Sequence, residues 1–187
     1  MAEQVEKATR FLALHRGERP LLLPNPWDVG SAKLLASLGF EALATTSSGF
    51  AATLGRLDGS VTRDEATDHA ASIAEATDLP VSGDLENGFA DDPAEVAETV
   101  RLAIDSGLAG CSLEDYTGRE GEPIYDPGQA AERVRAAAEA AHSGPVHLVL
   151  TARARRTTFT GGGIWGTPSR GFSPSRRPAR TCSSRRG

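Results

Sequence analysis

The stretch Pro80-Val81-Ser82-Gly83-Asp84-Leu85-Glu86-Asn87-Gly88 indicates most directly how this chain folds. A short apolar run leads into two acidic residues and an Asn-Gly turn signal, which is typical of a buried strand that ends in a polar loop. Because the carboxyl ends of parallel strands meet at one face of a sheet, polar residues at such ends are expected to converge. Three further apolar runs end in the same way: residues 42–44 before Thr45-Thr46-Ser47-Ser48, residues 109–113 before Glu114-Asp115, and residues 146–150 before Thr151-Ala152-Arg153.

The spacing of the apolar runs predicts an α/β fold made of βα units around a parallel sheet. Later strand starts are separated by roughly thirty to forty residues, as βα units require. The pattern predicts an N-terminal amphipathic helix followed by about five βα units, the last of them incomplete. The strands are expected to begin near Leu21, Ala42, Pro80, Ala109 and Val146.

Capping residues mark where three of the helices should begin. Thr62, Asp92 and Asp126 each stand three residues before Glu or Gln, which is the capping-box spacing. Proline follows both aspartates, at the first helical position. The helices that follow carry apolar stripes, which are expected to face the sheet: Val96, Val100, Ala103 and Ile104 on one, and Ala131, Val134, Ala138 and Ala141 on the next.

Length and composition limit the class of protein. A chain of 187 residues can form one domain with a sizeable core, but a complete eight-stranded α/β barrel needs about 250. No apolar stretch approaches the ~18 residues of a membrane span, and the N-terminus lacks the order of a signal peptide. With only Cys111 and Cys182, a disulfide framework is not expected, so we expect a cytoplasmic protein without a membrane partner.

Charge divides the chain into two unlike regions. Residues 1–152 contain 11 basic and 25 acidic residues, a formal charge of −14, whereas residues 153–187 contain nine arginines and no acid. The periodicity also stops, so we predict a folded region over 1–154 and an Arg/Gly/Ser/Pro-rich tail over 155–187. The tail has few bulky apolar residues and is expected to be disordered. Translation of GC-rich DNA in the wrong reading frame yields such a composition. We therefore hypothesise that the end of the chain is frameshifted, and translation of the other two reading frames would test this.

The polar residues at the strand ends have the chemistry of a metal-dependent active site. Asp84, Glu86 and Glu114 offer hard oxygen ligands, which suit Mg²⁺ or Mn²⁺. Arg153 offers a planar fork that can bind a carboxylate. Together they indicate a site for a small acidic substrate.

Taken together, the strand-end motifs resemble the isocitrate lyase / phosphoenolpyruvate mutase superfamily over roughly residues 18–154. This resemblance implies a (β/α)₈ TIM barrel, incomplete here, that binds Mg²⁺ (or Mn²⁺) and a small α-oxo carboxylic acid. It also implies an enzyme that makes or breaks a C–C or P–C bond through an enolate intermediate, and family members commonly form homo-oligomers. The motifs are Thr46-Ser47-Ser48-Gly49, Leu54-Gly55-Arg56-Leu57-Asp58, Ser82-Gly83-Asp84-Leu85-Glu86-Asn87-Gly88-Phe89, Ser112-Leu113-Glu114-Asp115 and Thr151-Ala152-Arg153-Ala154.

The resemblance also assigns roles to individual residues. Asp84 and Glu86 match the acids of the family's metal motif, and Glu114 matches an acid that reaches the metal through water. Catalytic roles fall on Asp58, near the metal, and on Arg153, which grips the substrate carboxylate. Thr46 and Ser47 match the residues that bind substrate oxygens in the family.

One loop departs from the lyase members of the family. Those members carry a cysteine-containing loop after the fourth strand, but here the stretch is Tyr116-Thr117-Gly118-Arg119-Glu120-Gly121-Glu122-Pro123. It contains no Cys, Lys or His, so a mechanism that uses the loop cysteine is not expected. The loop is similar to that of the mutase-like and decarboxylase-like branch, and Cys111 is interpreted as a core residue.

Other interpretations stay open at this point. The acids could be turn and surface residues, which would leave a non-catalytic fragment that binds other subunits. Nine arginines among Ser and Gly are also typical of an RNA-binding segment, although the break falls inside a βα unit. An open barrel would expose a sheet edge, so we expect the chain as written to be poorly stable and weakly active or inactive. The sequence does not identify the substrate.

Overall fold

A parallel sheet organises residues 1–154, the part of the chain that the computed structural model describes. Its four strands follow one another in chain order, each paired with the next. They are β1 (Leu43–Ala44), β2 (Val81–Asp84), β3 (Gly110–Glu114) and β4 (Val149–Arg153). The predictions made for residues 155–187, namely disorder, a frameshift or RNA binding, lie outside the described residues.

Helices connect the strands and cover the sheet. They are α1 (Ala2–His15), α2 (Val29–Ser37), α3 (Ser47–Thr53), α4 (Arg63–Glu75), α5 (Pro93–Asp105) and α6 (Pro127–His142). Among the described residues, none of the helices has the length and apolarity needed to cross a membrane. The alternation of helices with parallel strands confirms the predicted α/β class.

The strand predicted at Leu21 is wrong. The segment before Asn25 lies beside β1, because the Ala44 amide donates to the Pro24 carbonyl at 3.1 Å and the Asn25 side chain donates to the Ala44 carbonyl at 3.0 Å. Pro24 and Pro26 have no amide N–H to donate, so a regular ladder does not form. Residues 21–25 therefore follow the sheet edge without becoming a strand.

The predicted helix starts are confirmed. Thr62 and Glu65 form a reciprocal capping box, in which the Thr62 amide donates to the Glu65 carboxylate at 2.9 Å. Asp92 accepts from the amides of Ala94 and Glu95. The Asp126 carboxylate accepts from the Gly128 amide at 2.8 Å, instead of from the amide of Gln129 at the capping-box position. These caps satisfy amides that have no partner inside the helix.

Small and branched apolar side chains fill the space between sheet and helices. The stripe predicted on α5 is confirmed, since Val96, Val100 and Ala103 are fully buried. The stripe predicted on α6 is correct in part, since Ala141 is buried and Val134 packs against the core, whereas Ala131 is exposed. The buried face also includes Arg133, Ala137 and Ala140.

Helix α1 closes the amino end of the sheet. Its Phe11 is buried against the residues where the strands begin, in a cluster with Ala42, Ala109 and Val146. A Cβ atom at Gly110 would collide with the Phe11 ring, so glycine is required there. Because α1 covers this end, a site for ligands is left at the opposite edge, where the strands end.

Candidate functional site

Acidic side chains and one arginine meet at the carboxyl edge of the sheet. Asp84, Glu114 and Arg153 are the last residues of β2, β3 and β4. The register pairs Glu114 directly with Arg153, and the Arg153 Nε atom lies 3.7 Å from Glu114 Oε2. The Glu114 side chain is only 10% exposed, whereas that of Arg153 is 59% exposed. The structure thus brings these predicted site residues to one edge.

Asp84 is held by groups from the end of β1. Its Oδ2 atom accepts hydrogen bonds from both the amide and the hydroxyl of Ser47, each at 2.9 Å. The Asp84 amide in turn donates to Thr45 Oγ1 at 2.8 Å. These bonds fix the carboxylate and tie the tips of β1 and β2 together.

The hydroxyl residues at positions 45–47, directly after β1, have different roles in the structure. Thr45 supports Asp84, and sequence reasoning missed it, because neighbouring hydroxyl residues in this segment cannot be told apart without the register. Thr46 is the N-cap of α3 and accepts from the Gly49 amide at 3.4 Å. Ser47, which was predicted to bind substrate, contacts Asp84.

Glu86 lies in a turn with an unusual backbone. Its φ angle is +48°, in the left-handed region that residues other than glycine rarely adopt. The side chain is half-buried, and its Oε1 atom has no hydrogen-bond partner among the described residues. A buried carboxylate oxygen without a donor is unusual in folded proteins, so its environment requires an explanation.

Neighbouring negative charges surround Glu86. Burial, with smaller contributions from the charges of Asp84, Asp58 and Glu114, raises the pKa of its carboxyl to about 7. Each of these three carboxylates therefore lies close enough to Glu86 to disfavour its ionisation. Concentrated negative charge of this kind favours the binding of a cation.

The carboxylates do not form a complete set of direct ligands. Within residues 1–154, no group of three or more His, Cys, Asp or Glu side chains is arranged to hold a metal ion. The donor set nevertheless suits Mg²⁺ or Mn²⁺, because these ions keep several waters and use only one or two carboxylates directly. The residues present therefore fit a hydrated divalent ion.

A cleft of about 710 Å³ opens beside these carboxylates. Glu86 and Glu114 lie in its wall, together with residues from the loops that follow β2 and β3 and from the start of α4. This volume is within the range that suits a small-molecule ligand. Other lining residues include Val61, Thr62, Arg63, Asp64, Asn87, Phe89, Asp91, Glu95, Tyr116 and Thr117.

The loop after β3 folds back on itself next to the cleft. Tyr116 pairs with Ile124 in an antiparallel bridge, and the Thr117 amide donates to the Pro123 carbonyl at 2.9 Å. Arg119 joins this loop to the loop after β2, since its Nη1 atom donates to both carboxylate oxygens of Asp91, at 2.8 and 3.1 Å. The loop that lacks the lyase cysteine is therefore ordered by its own hydrogen bonds.

Arg133 and Tyr125 form a second polar group that sequence reasoning missed. Arg133 projects from α6 and is 1% exposed, and its guanidinium lies 3.9 Å from the centroid of the Tyr125 ring. The Tyr125 hydroxyl donates to Asp91 and accepts from the Asn87 side chain. The sequence does contain one sign of this burial. Arg133 stands four residues before Ala137 and seven before Ala140, which places it on the same face of α6 as these alanines.

Comparison with known proteins identifies the family. The phosphoenolpyruvate phosphomutase family model matches residues 11–163, past the boundary predicted after residue 154. A Burkholderia cenocepacia J2315 protein described as a “putative lyase/mutase” has 50% identity and a TM-score of 0.80, over 81% of this chain and 55% of its own. An oxaloacetate acetylhydrolase solved with its product oxalate has 29% identity and a TM-score of 0.73, over 80% and 54%. The 2-methylisocitrate lyase of Halalkalibacterium halodurans is 34% identical over 60% of this chain and 37% of the lyase.

The chain therefore belongs to the phosphoenolpyruvate mutase family, within the isocitrate lyase / phosphoenolpyruvate mutase superfamily. Its described residues correspond to part of the (β/α)₈ barrel of that superfamily. The chain spans between 37% and 55% of the length of the three relatives above.

The environment of Cys111 predicts an unreactive thiol. Burial raises its pKa to about 12, so the reactive thiolate is absent at neutral and mildly alkaline pH. We expect native Cys182→Ser protein, in which Cys111 is the remaining cysteine, to react with a thiol reagent at pH 8 only after unfolding in denaturant. Rapid stoichiometric labelling of the native protein would contradict this interpretation of Cys111.

Proposed function

We propose that this chain is a magnesium-dependent lyase or mutase-type enzyme that makes or breaks a C–C or P–C bond of an α-oxo carboxylic acid through an enolate intermediate. The observation that supports this best is the concentration of negative charge around Glu86, whose side chain lies at the wall of the cleft. Relatives named as a 2-methylisocitrate lyase and an oxaloacetate acetylhydrolase support the class of substrate.

We assign the divalent ion to Asp84, Glu86 and Glu114, in part through water. The Glu86 Oε1 atom faces no hydrogen-bond donor among the described residues, so an ion or one of its waters would complete its coordination. When bound, a divalent cation acts as a Lewis acid that stabilises negative charge on a ketone oxygen. Asp58 contributes further negative charge next to this position.

We assign recognition of the substrate carboxylate to Arg153. Its side chain is exposed and lies beside Glu114, which lines the cleft, so it is both held near the acids and accessible to a ligand. The planar fork can donate two parallel hydrogen bonds to a carboxylate. Thr46 and Ser47 are assigned to substrate oxygens, and the Ser47 hydroxyl can still accept a bond while it donates to Asp84.

The reaction is proposed to run without a thiol. The loop of residues 116–123 contains no cysteine, and Cys111 is buried inside β3. This favours the mutase-like and decarboxylase-like branch over lyases that use a loop cysteine. The boundary after residue 154 and assembly into homo-oligomers remain predictions.

Replacing Asp84 tests the proposed metal site. Asp84→Asn removes a negative charge from the carboxylate group, so we expect Mn²⁺ affinity to fall by at least about tenfold, measured by calorimetric titration. Asp105→Asn makes the same chemical change at the far end of α5 and is expected to bind like the unmodified chain. Equal Mn²⁺ affinity in all three proteins would refute the assignment.

Replacing Arg153 separates substrate recognition from metal binding. Oxalate, a dicarboxylate that mimics an enolate, should bind to the Mn²⁺-loaded protein. In Arg153→Gln we expect oxalate affinity to fall by about tenfold or more, which corresponds to the loss of a charge-assisted hydrogen bond. Mn²⁺ affinity should not fall, because the change removes positive charge from beside Glu114. An unchanged oxalate affinity would show that another group binds the carboxylate.

A further inference from the structure

A buried arginine supports the loop that carries Glu86. Arg133 lies on α6, and its guanidinium donates to the carbonyl oxygens of Asn87, Ala90 and Asp91. The bond to Asp91 is 2.8 Å long. One side chain thus binds three carbonyls within five consecutive residues of the loop after β2.

The cost of burying this charge indicates that the contacts are important for the fold of the loop. Moving a guanidinium out of water is unfavourable unless its donors are satisfied. Here the donors bind carbonyl oxygens, and the Tyr125 ring lies over the guanidinium at 3.9 Å. Tyr125 also binds Asp91 and Asn87 through its hydroxyl, which gives the loop a second support.

The loop itself has a backbone that needs such support. Glu86 and Phe89 have φ angles of +48° and +56°, and Gly88 between them has +78°. Left-handed conformations at residues other than glycine persist only where the surrounding structure imposes them. A side chain at Gly88 would crowd Leu113 and Val96 at 3.0–3.1 Å, so the turn is also pressed closely onto the core.

We infer that Arg133 is a positioning residue for the metal site: it holds residues 86–91 in the left-handed turn that presents the Glu86 carboxylate to the cleft. Arg133 acts through the loop backbone and does not touch the cation. This inference rests on the proposed function for its effect on metal binding, but its effect on the loop is independent of that function. Lysine cannot replace it, because a single ammonium group lacks the planar fork that reaches several carbonyls at once.

The test compares Arg133→Lys with a core variant of the full chain. Phe11→Leu removes buried side-chain volume from the cluster at the amino end of the sheet, away from the loop, and serves as the control for general destabilisation. Two readouts are needed: amide hydrogen exchange across the chain, and Mn²⁺ affinity. In Arg133→Lys we expect faster exchange confined to residues 86–91 and a roughly 10- to 100-fold loss of Mn²⁺ affinity. Phe11→Leu should alter neither selectively.

The outcomes separate this inference from the proposed function. Exchange of residues 86–91 that matches the control would overturn the inference, even if Mn²⁺ affinity falls. If the unmodified chain binds no Mn²⁺, the proposed function fails, and selective exchange in Arg133→Lys would still establish that Arg133 holds the loop. Should Arg133→Lys not fold, Tyr125→Phe, which removes the hydroxyl bound to Asp91 and Asn87, must show the same selective exchange or the inference is wrong.

Discussion

Repulsion among carboxylates at the carboxyl edge of the sheet is the constraint on which the rest of the site depends. Parallel strands bring Asp84 and Glu114 to the same edge, and the loop adds Glu86, with Asp58 close enough to affect its charge. Without a counterion this arrangement disfavours ionisation of Glu86, because burial and the neighbouring carboxylates both oppose its negative charge. The proposed divalent cation would offset this concentrated negative charge.

The surroundings of the carboxylates are organised to keep them in place. Hydroxyl and amide groups at the tip of β1 fix Asp84, and Arg133 donates to carbonyl oxygens of the loop that follows Glu86. Glu114 is held beside Arg153 by the register of β3 and β4. The negative charges at this edge are thus stabilised by neutral hydrogen-bond donors at the tip of β1 and by the positive charge of Arg153 at the tip of β4.

Much of this was predictable from the sequence, since it follows from local patterns. Apolar runs of strand length, caps at Thr62, Asp92 and Asp126, and the rule for parallel strands were sufficient to bring the acids to one edge. The expected strand at Leu21 fails because prolines remove the amides that a ladder needs. Arg133 was missed because helical periodicity treats arginine as a surface residue, whereas its burial depends on carbonyls from a loop more than forty positions earlier. The contact between Ser47 and Asp84 likewise depends on the register of two strands, which no local pattern encodes.

The most direct test of this account is a pair of measurements on Glu86→Gln at pH 8, with Glu139→Gln on the outer face of α6 as the control. Removing the Glu86 charge should raise the melting temperature of the metal-free protein, because it relieves repulsion, and should weaken Mn²⁺ binding in a titration followed by electron paramagnetic resonance. The control should change neither quantity. A Glu86→Gln variant that melts no higher and binds Mn²⁺ as tightly as the unmodified chain would contradict the claim that these carboxylates form one cation site.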